Sequence, residues 1–208
     1  MITHERRPTT GELRSRLDGS LDAVASLERH LDEIAAWASL LAATFGAGGR
    51  LLAAGNGGSA AQSGHLVAEI VGRFEGERAA LPAVSLVTDP AVVTALGNDY
   101  GFEHMIERQV AAHARPGDVV VLLSTSGRSP NLVAAAAQAT ASGAHPWGLI
   151  GPGDSPLSLA CERSIRVDAR ATSHIQEAHQ VLIHLLCAAL DVELSGIDRL
   201  DEGGGIVP

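Results

Sequence analysis

His65 and Glu69 lie four residues apart in a helical pattern, so an α-helix places them on one face. An imidazole and a carboxylate converging there can hold a divalent metal or share a proton. A second polar set interrupts the apolar stretch HIQEAHQVLIHLL, which offers Gln176, Glu177, His179 and His184 on a face otherwise suited to burial. Polar groups in such a face need partners. Gln176 and His184 are two turns apart and within about 80° around the axis, so both can look into one cavity. Glu177 and His184 satisfy the same condition nearly as well, and spacing does not choose between them. Two imidazoles, a carboxylate and an amide oxygen suit Zn²⁺ in a catalytic rather than a structural site.

Two further segments carry hydrogen-bonding capacity without charge. Gly55-Asn56-Gly57-Gly58-Ser59 follows a short apolar run and precedes a helical pattern; its glycines let the backbone approach a ligand, while Asn56 and Ser59 supply polar side chains. Read through Ala60 it also satisfies G-x-G-x-x-A, the dinucleotide fingerprint. The acidic partner of that fingerprint would be Asp89, which lies well beyond the expected spacing of about 20 residues. Ser124-Thr125-Ser126-Gly127-Arg128-Ser129 places four hydroxyls between another apolar run and the helix that starts near Asn131. N-capping explains one hydroxyl there, not four. Hydroxyls beside helix-terminal N–H groups suit a phosphate, and a dinucleotide fold does not require this second loop.

The composition narrows the chemistry further. All 15 basic residues of the 208 are Arg, so Schiff-base catalysis and the P-loop lysine are excluded. A formal charge of −9 with scattered Arg argues against nucleic acid or an anionic membrane as partner. Cys161 and Cys187 lack metal-binding spacing and are too few for a disulfide framework, which fits a reducing cytoplasm. The N-terminus has no signal-peptide core, and no apolar stretch of about 18 residues escapes interruption by Gly, Pro or charge, so neither export nor a membrane span is expected.

These residues must be positioned by a fold. Apolar runs at 50–54, 82–87, 118–123, 146–150 and 164–167 alternate with helical patterns, which predicts an α/β protein with a doubly wound, five-stranded parallel sheet. The expected helices are 59–73, a short one after Pro90, 102–114, 131–142, 156–160 and 173–194. Both Gly- and Ser-rich loops then sit beyond the carboxyl ends of strands, where such sheets bind ligands. Ahead of the core at 49–195, residues 1–48 read as a helical hairpin in need of a partner surface: Thr9 and Glu12 form a capping box, and Leu13, Leu17, Leu21, Val24 and Leu27 share a face. The chain reads as one domain, with a disordered tail from 201.

Together, GNGGSAAQSGHLVAE, GNDYGFE, LLSTSGRSPN and IQEAHQVLIH, in this order and over roughly residues 17–191, resemble the sugar isomerase (SIS) domain family and within it the sedoheptulose 7-phosphate isomerases. The resemblance implies a flavodoxin-like αβα sandwich and a zinc-assisted aldose-ketose isomerase, with one Zn²⁺ per subunit of a cytoplasmic homotetramer, sites between subunits and a phosphorylated heptose as substrate. His65, Glu69, Gln176 and His184 match the family's metal cluster, with Glu69 and His184 as acid-base pair. Ser124, Thr125, Ser126 and Ser129 match its phosphate loop, and Asn56, Gly57, Gly58, Ser59, Arg73, Asn98, Asp99 and Gln176 match positions along the sugar. The chain departs from several relatives at Gln62 and Ser173, where they have Asp. The alternative within the family is a non-catalytic tetramer that binds a protein such as a DnaA-type initiator; two imidazoles and a carboxylate at one cavity favour the enzyme. A phosphosugar sensor would need room for a DNA-binding module.

Overall fold

In the computed structural model, which describes residues 7–202 and the side chains among them to 195, short aliphatic strands form the centre. β1 (Leu51–Gly55), β2 (Ala83–Ser85), β3 (Val119–Ser124), β4 (His145–Ile150) and β5 (Arg163–Arg166) make one parallel sheet in the order β2-β1-β3-β4-β5. β1 and β3 are buried along their whole length, as expected for strands covered on both faces. β2 is shorter than its apolar run suggested because it is an edge strand, paired only with β1 through Leu51, Leu52 and Ala53.

The alternation of side chains divides the core in two. Leu51, Ala53, Val119, Val121 and Leu123 face a layer built from α1 (Thr10–Ala25), α2 (Leu31–Gly46), α3 (Gly58–Val71) and α8 (Thr172–Glu202). Leu52, Ala54, Val120 and Leu122 face α5 (Met105–His113), α6 (Pro130–Ala141) and α7 (Pro156–Ala160), with α4 (Pro90–Tyr100) at the margin. Ala135, Ala136 and Ala139 let α6 lie close to the sheet. On the other face Trp37 and Trp147 meet with ring centroids 4.7 Å apart, both essentially inaccessible.

The predicted capping box starts α1: Thr9 Oγ1 accepts from the Glu12 N–H, and the Glu12 carboxylate accepts from the Thr9 N–H. A 3₁₀ turn over Ser26–His30 leads into α2, and both helices pack on α8. The hairpin's partner surface is thus supplied in part by the chain itself, yet Leu13, Leu17 and Leu21 stay more than half exposed along α1. α8 has one segment, Thr172–Ser195, long and apolar enough for a membrane span, contrary to the expectation that Gly, Pro or charge interrupts every such stretch. Its apolar face is used internally, with Ala178, Leu182, Ile183, Leu186 and Leu190 in the core. The tail expected to be disordered from 201 continues α8 for two residues and otherwise lies outside the described residues.

Candidate functional site

Gly57 has φ +55° between β1 and α3, a backbone state that suits glycine, and it leaves the head of α3 without a side-chain cap. A Cβ on Gly55 would sit 2.5 Å from the Ser59 carbonyl group, so the tight strand-to-helix turn requires glycine. In the second loop Ser124 Oγ accepts from the Gly127 N–H at 3.0 Å, and Ser126 Oγ accepts from the Arg128 N–H at 3.2 Å. Gly127 has φ +62° and packs directly on Ser155. Ser129 stands at the N-cap of α6 with its hydroxyl making no capping bond, and Pro130 occupies the first helical turn. Two helix N-termini therefore open toward one space, an arrangement whose dipoles favour an anion.

That space is a cleft of about 330 Å³ lined by both loops: Asn56, Gly57, Gly58 and Ser59 from the first, Ser124, Thr125, Ser126 and Ser129 from the second. Gln176 closes one side. Its amide packs so tightly on Gly58 that a Cβ there would lie 2.5 Å from Nε2. Asn56 and Asn131 exchange two amide hydrogen bonds, of 3.0 and 2.9 Å, tying the first loop to the head of α6. Asp89 is engaged elsewhere: it N-caps α4 by accepting from the Ala91 and Val92 N–H groups, which removes the acidic partner a dinucleotide reading needs.

Further along α3, His65 and Glu69 meet His184 of α8. His65 Nε2 is 3.0 Å from His184 Nε2 and 3.2 Å from Glu69 Oε1, and one donor atom from each residue lies within 4.8 Å of the others. Two imidazole nitrogens and a carboxylate oxygen this close fit a Zn²⁺ ion, with coordination positions left for further donors. Phe74 backs the His184 ring, centroids 5.6 Å apart. Arg78 ties α3 to α8: its guanidinium donates to the Glu69 and Ile70 carbonyls at 2.6 and 3.0 Å and to Asp191 Oδ1 at 2.9 Å. Gln62 donates to the Gln176 main-chain carbonyl and so joins the same two helices. Cys187 lies near Glu69, but burial pushes its thiol up to about 12, with Glu69 and Asp191 adding to the shift; it remains a neutral packing group.

The structure resolves the choice between neighbours on α8: Gln176 lines the cleft, whereas Glu177 is exposed. Three residues expected along the sugar stand apart from the cleft lining. Arg73 reaches the Glu75 carbonyl and Glu77, and Asn98 bonds Asp99 at the exposed end of α4. Conversely, Thr172 lines the cleft, Asn131 braces it, Arg78 joins α3 to α8 beside Glu69, and Gln180 places its amide nitrogen 3.0 Å from His184 Nε2, none of them anticipated. Only Gln180 left a usable trace, its four-residue spacing from both Gln176 and His184.

A parallel αβα sandwich with a hydroxyl-lined cleft at its strand ends and a metal-capable cluster farther along α3 defines an α/β protein shaped to take a small polar ligand. Residues 18–151 match the SIS domain family. The phosphoheptose isomerase of Geotalea daltonii is 45% identical over 189 residues, covering 90% of this chain and 98% of that protein. That of Streptomyces coelicolor is 50% identical over 158 residues, covering 76% and 68%. Among solved structures, the phosphoheptose isomerase of Neisseria gonorrhoeae superposes with a TM-score of 0.81 at 35% identity, covering 88% of this chain and 98% of that one. The Francisella tularensis phosphoheptose isomerase gives 0.84 at 29%, covering 89% and 100%. The chain belongs to the SIS-domain family and stands with its phosphoheptose isomerases.

Proposed function

We propose that the chain is a zinc-assisted aldose-ketose isomerase that converts sedoheptulose 7-phosphate to D-glycero-D-manno-heptose 7-phosphate through an enediol. The observation that carries this reading is the placement of two functions on α3. Its head, Gly58 and Ser59, lines the anion cleft, while His65 is six residues on, a rise of about 9 Å. A seven-carbon chain held by its 7-phosphate at the loops extends its C1–C2 end toward the His65, Glu69 and His184 cluster.

Ser124, Thr125, Ser126, Ser129 and the N-terminal ends of α3 and α6 bind the phosphate without a cationic side chain. Asn56, Ser59 and Gln176 orient the sugar hydroxyls. Moving a carbonyl between C1 and C2 requires removal of a proton from one carbon and its return to the other, with a second proton shuttled between the oxygens. Glu69 is assigned as the base at carbon and His184 as the acid at oxygen. His65, Glu69 and His184, with Gln176 as the donor that the family resemblance adds, would hold Zn²⁺, which supplies polarisation of the carbonyl oxygen. Glu69 thus has one oxygen for the ion and one for the proton, a division its two-oxygen carboxylate permits.

A cytoplasmic homotetramer with sites between subunits completes the reading. The exposed Leu13, Leu17 and Leu21 ridge supports an interface on α1, and a neighbouring copy offers the route by which Arg73, Asn98 and Asp99 would reach a sugar. The deciding experiment incubates purified protein with sedoheptulose 7-phosphate, with and without chelator, and follows the sugar by NMR. Appearance of an aldoheptose signal that chelation suppresses is the expected result. No conversion under any metal condition sinks the isomerase reading.

A further inference from the structure

Gln176, Gln180 and His184 are spaced by four along α8 and so form one stripe facing α3. The first lines the cleft, and the last belongs to the metal-capable cluster. Gln180, between them, is half-buried, and the side-chain partner described for it is His184 Nε2 at 3.0 Å. That same nitrogen is 3.0 Å from His65 Nε2, so the amide is aimed at the point where the donor atoms converge.

We propose that Gln180 is a donor to the metal held by His65, Glu69 and His184, a role distinct from anything the family resemblance assigned. This rests on the zinc reading above. The amide end facing His184 is set by whatever occupies the lone pair of Nε2. With the ring nitrogen free, an N–H donor is favoured. With a cation there, a half-turn of the amide presents its carbonyl oxygen, a neutral hard donor acceptable to Zn²⁺. A leucine would fill the same place on an apolar helix without offering a donor, so a glutamine at this position has a chemical consequence. It adds a coordinating oxygen without adding charge, which leaves the ion a stronger Lewis acid than a second carboxylate would.

The test titrates the wild-type chain and the Gln180→Leu, Gln180→Met and Gln180→Glu variants with Co²⁺ against a chromophoric chelator. It also records the visible d–d absorption of each Co²⁺ complex. Gln180→Leu and Gln180→Met are expected to bind Co²⁺ about 10- to 100-fold more weakly and with a shifted spectrum, whereas Gln180→Glu retains binding. Met, which matches the length of Gln, keeps the test sound if Leu disturbs folding. Co²⁺ affinity and spectra unchanged in Leu and Met overturn the proposal while leaving the zinc reading intact. A wild-type chain that binds no Co²⁺ overturns both.

Discussion

Asn56 and Asn131, 75 residues apart in sequence, close a reciprocal pair of amide hydrogen bonds beside the cleft. Each amide donates once and accepts once, so the first loop and the head of α6 are held in fixed relation before any ligand arrives. Such preorganisation reduces the ordering cost of binding. Asn131→Ala removes both of the hydrogen bonds that the pair shares and leaves the partly buried Asn56 amide to find new partners, which costs about 1–3 kcal/mol of stability. Its KM for the phosphosugar should rise by more than its kcat falls, measured by steady-state kinetics alongside thermal unfolding.

Glu69 is assigned proton transfer at carbon, and Gln is nearly isosteric with it but has no basicity. Glu69→Gln is expected to lower kcat by about 10²- to 10⁴-fold. Metal analysis of the purified variant separates the two roles of this side chain: normal turnover with zinc still bound would remove it as the base.

Two glycines of the first loop, Gly55 and Gly58, predict different failures. A Cβ at Gly55 meets backbone at Ser59, so Gly55→Ala must move the strand-to-helix turn and should lose both stability and phosphate binding. A Cβ at Gly58 meets only the mobile end of Gln176. Gly58→Ala should therefore fold with a melting temperature near wild type and lose catalytic efficiency, because the amide is pushed out of the sugar's path. Comparing the two melting curves with the two kcat/KM values checks the distinction.

Arg78 and Asp191 are only 10% and 20% exposed, so their ion pair sits in a partly desolvated place. Arg78→Leu strands the Asp191 carboxylate and the Glu69 and Ile70 carbonyls. A loss of about 3 kcal/mol is expected in denaturant titration. Because the same guanidinium fixes the end of α3 that carries Glu69, metal affinity should fall in parallel.

His179 is fully buried, and desolvation pushes its pKa from 6.5 down to about 4, with the Ile150 backbone offsetting part of the shift. The native chain keeps this ring neutral where the unfolded chain takes up a proton. Above about pH 6.5 the residue has no effect. As pH falls from there toward 4 the unfolded state binds the extra proton and stability declines, by up to about 3 kcal/mol. His179→Leu should flatten that part of the acid limb in urea titrations between pH 7 and 4.

Much of the architecture was readable because it depends on local pattern. Aliphatic runs bounded by Gly, Pro or Asp marked all five strands, and the glycines of 55–58 and hydroxyls of 124–129 marked the cleft. His65 and Glu69 followed from one helical turn. What periodicity does not encode is which distant side chain completes a pair. Asn131 and Arg78 acquire their roles from partners 75 and 113 residues away, and Gln180 from the packing of α8 on α3. The choice of Gln176 over Glu177 needed the helix rotation, which the apolar neighbours Ile175 and Ala178 set by turning inward. Arg73, Asn98 and Asp99 entered from the family resemblance, and the structure places them outside the cleft lining.

Trp37 and Trp147 are the chain's two tryptophans, and they lie against each other in the layer between α2 and β4. Intrinsic fluorescence excited at the indoles therefore reports on the docking of the N-terminal helices onto the sheet and is insensitive to occupancy of the cleft. The protein carries its own optical gauge of folding, one that need not be recalibrated for each active-site variant.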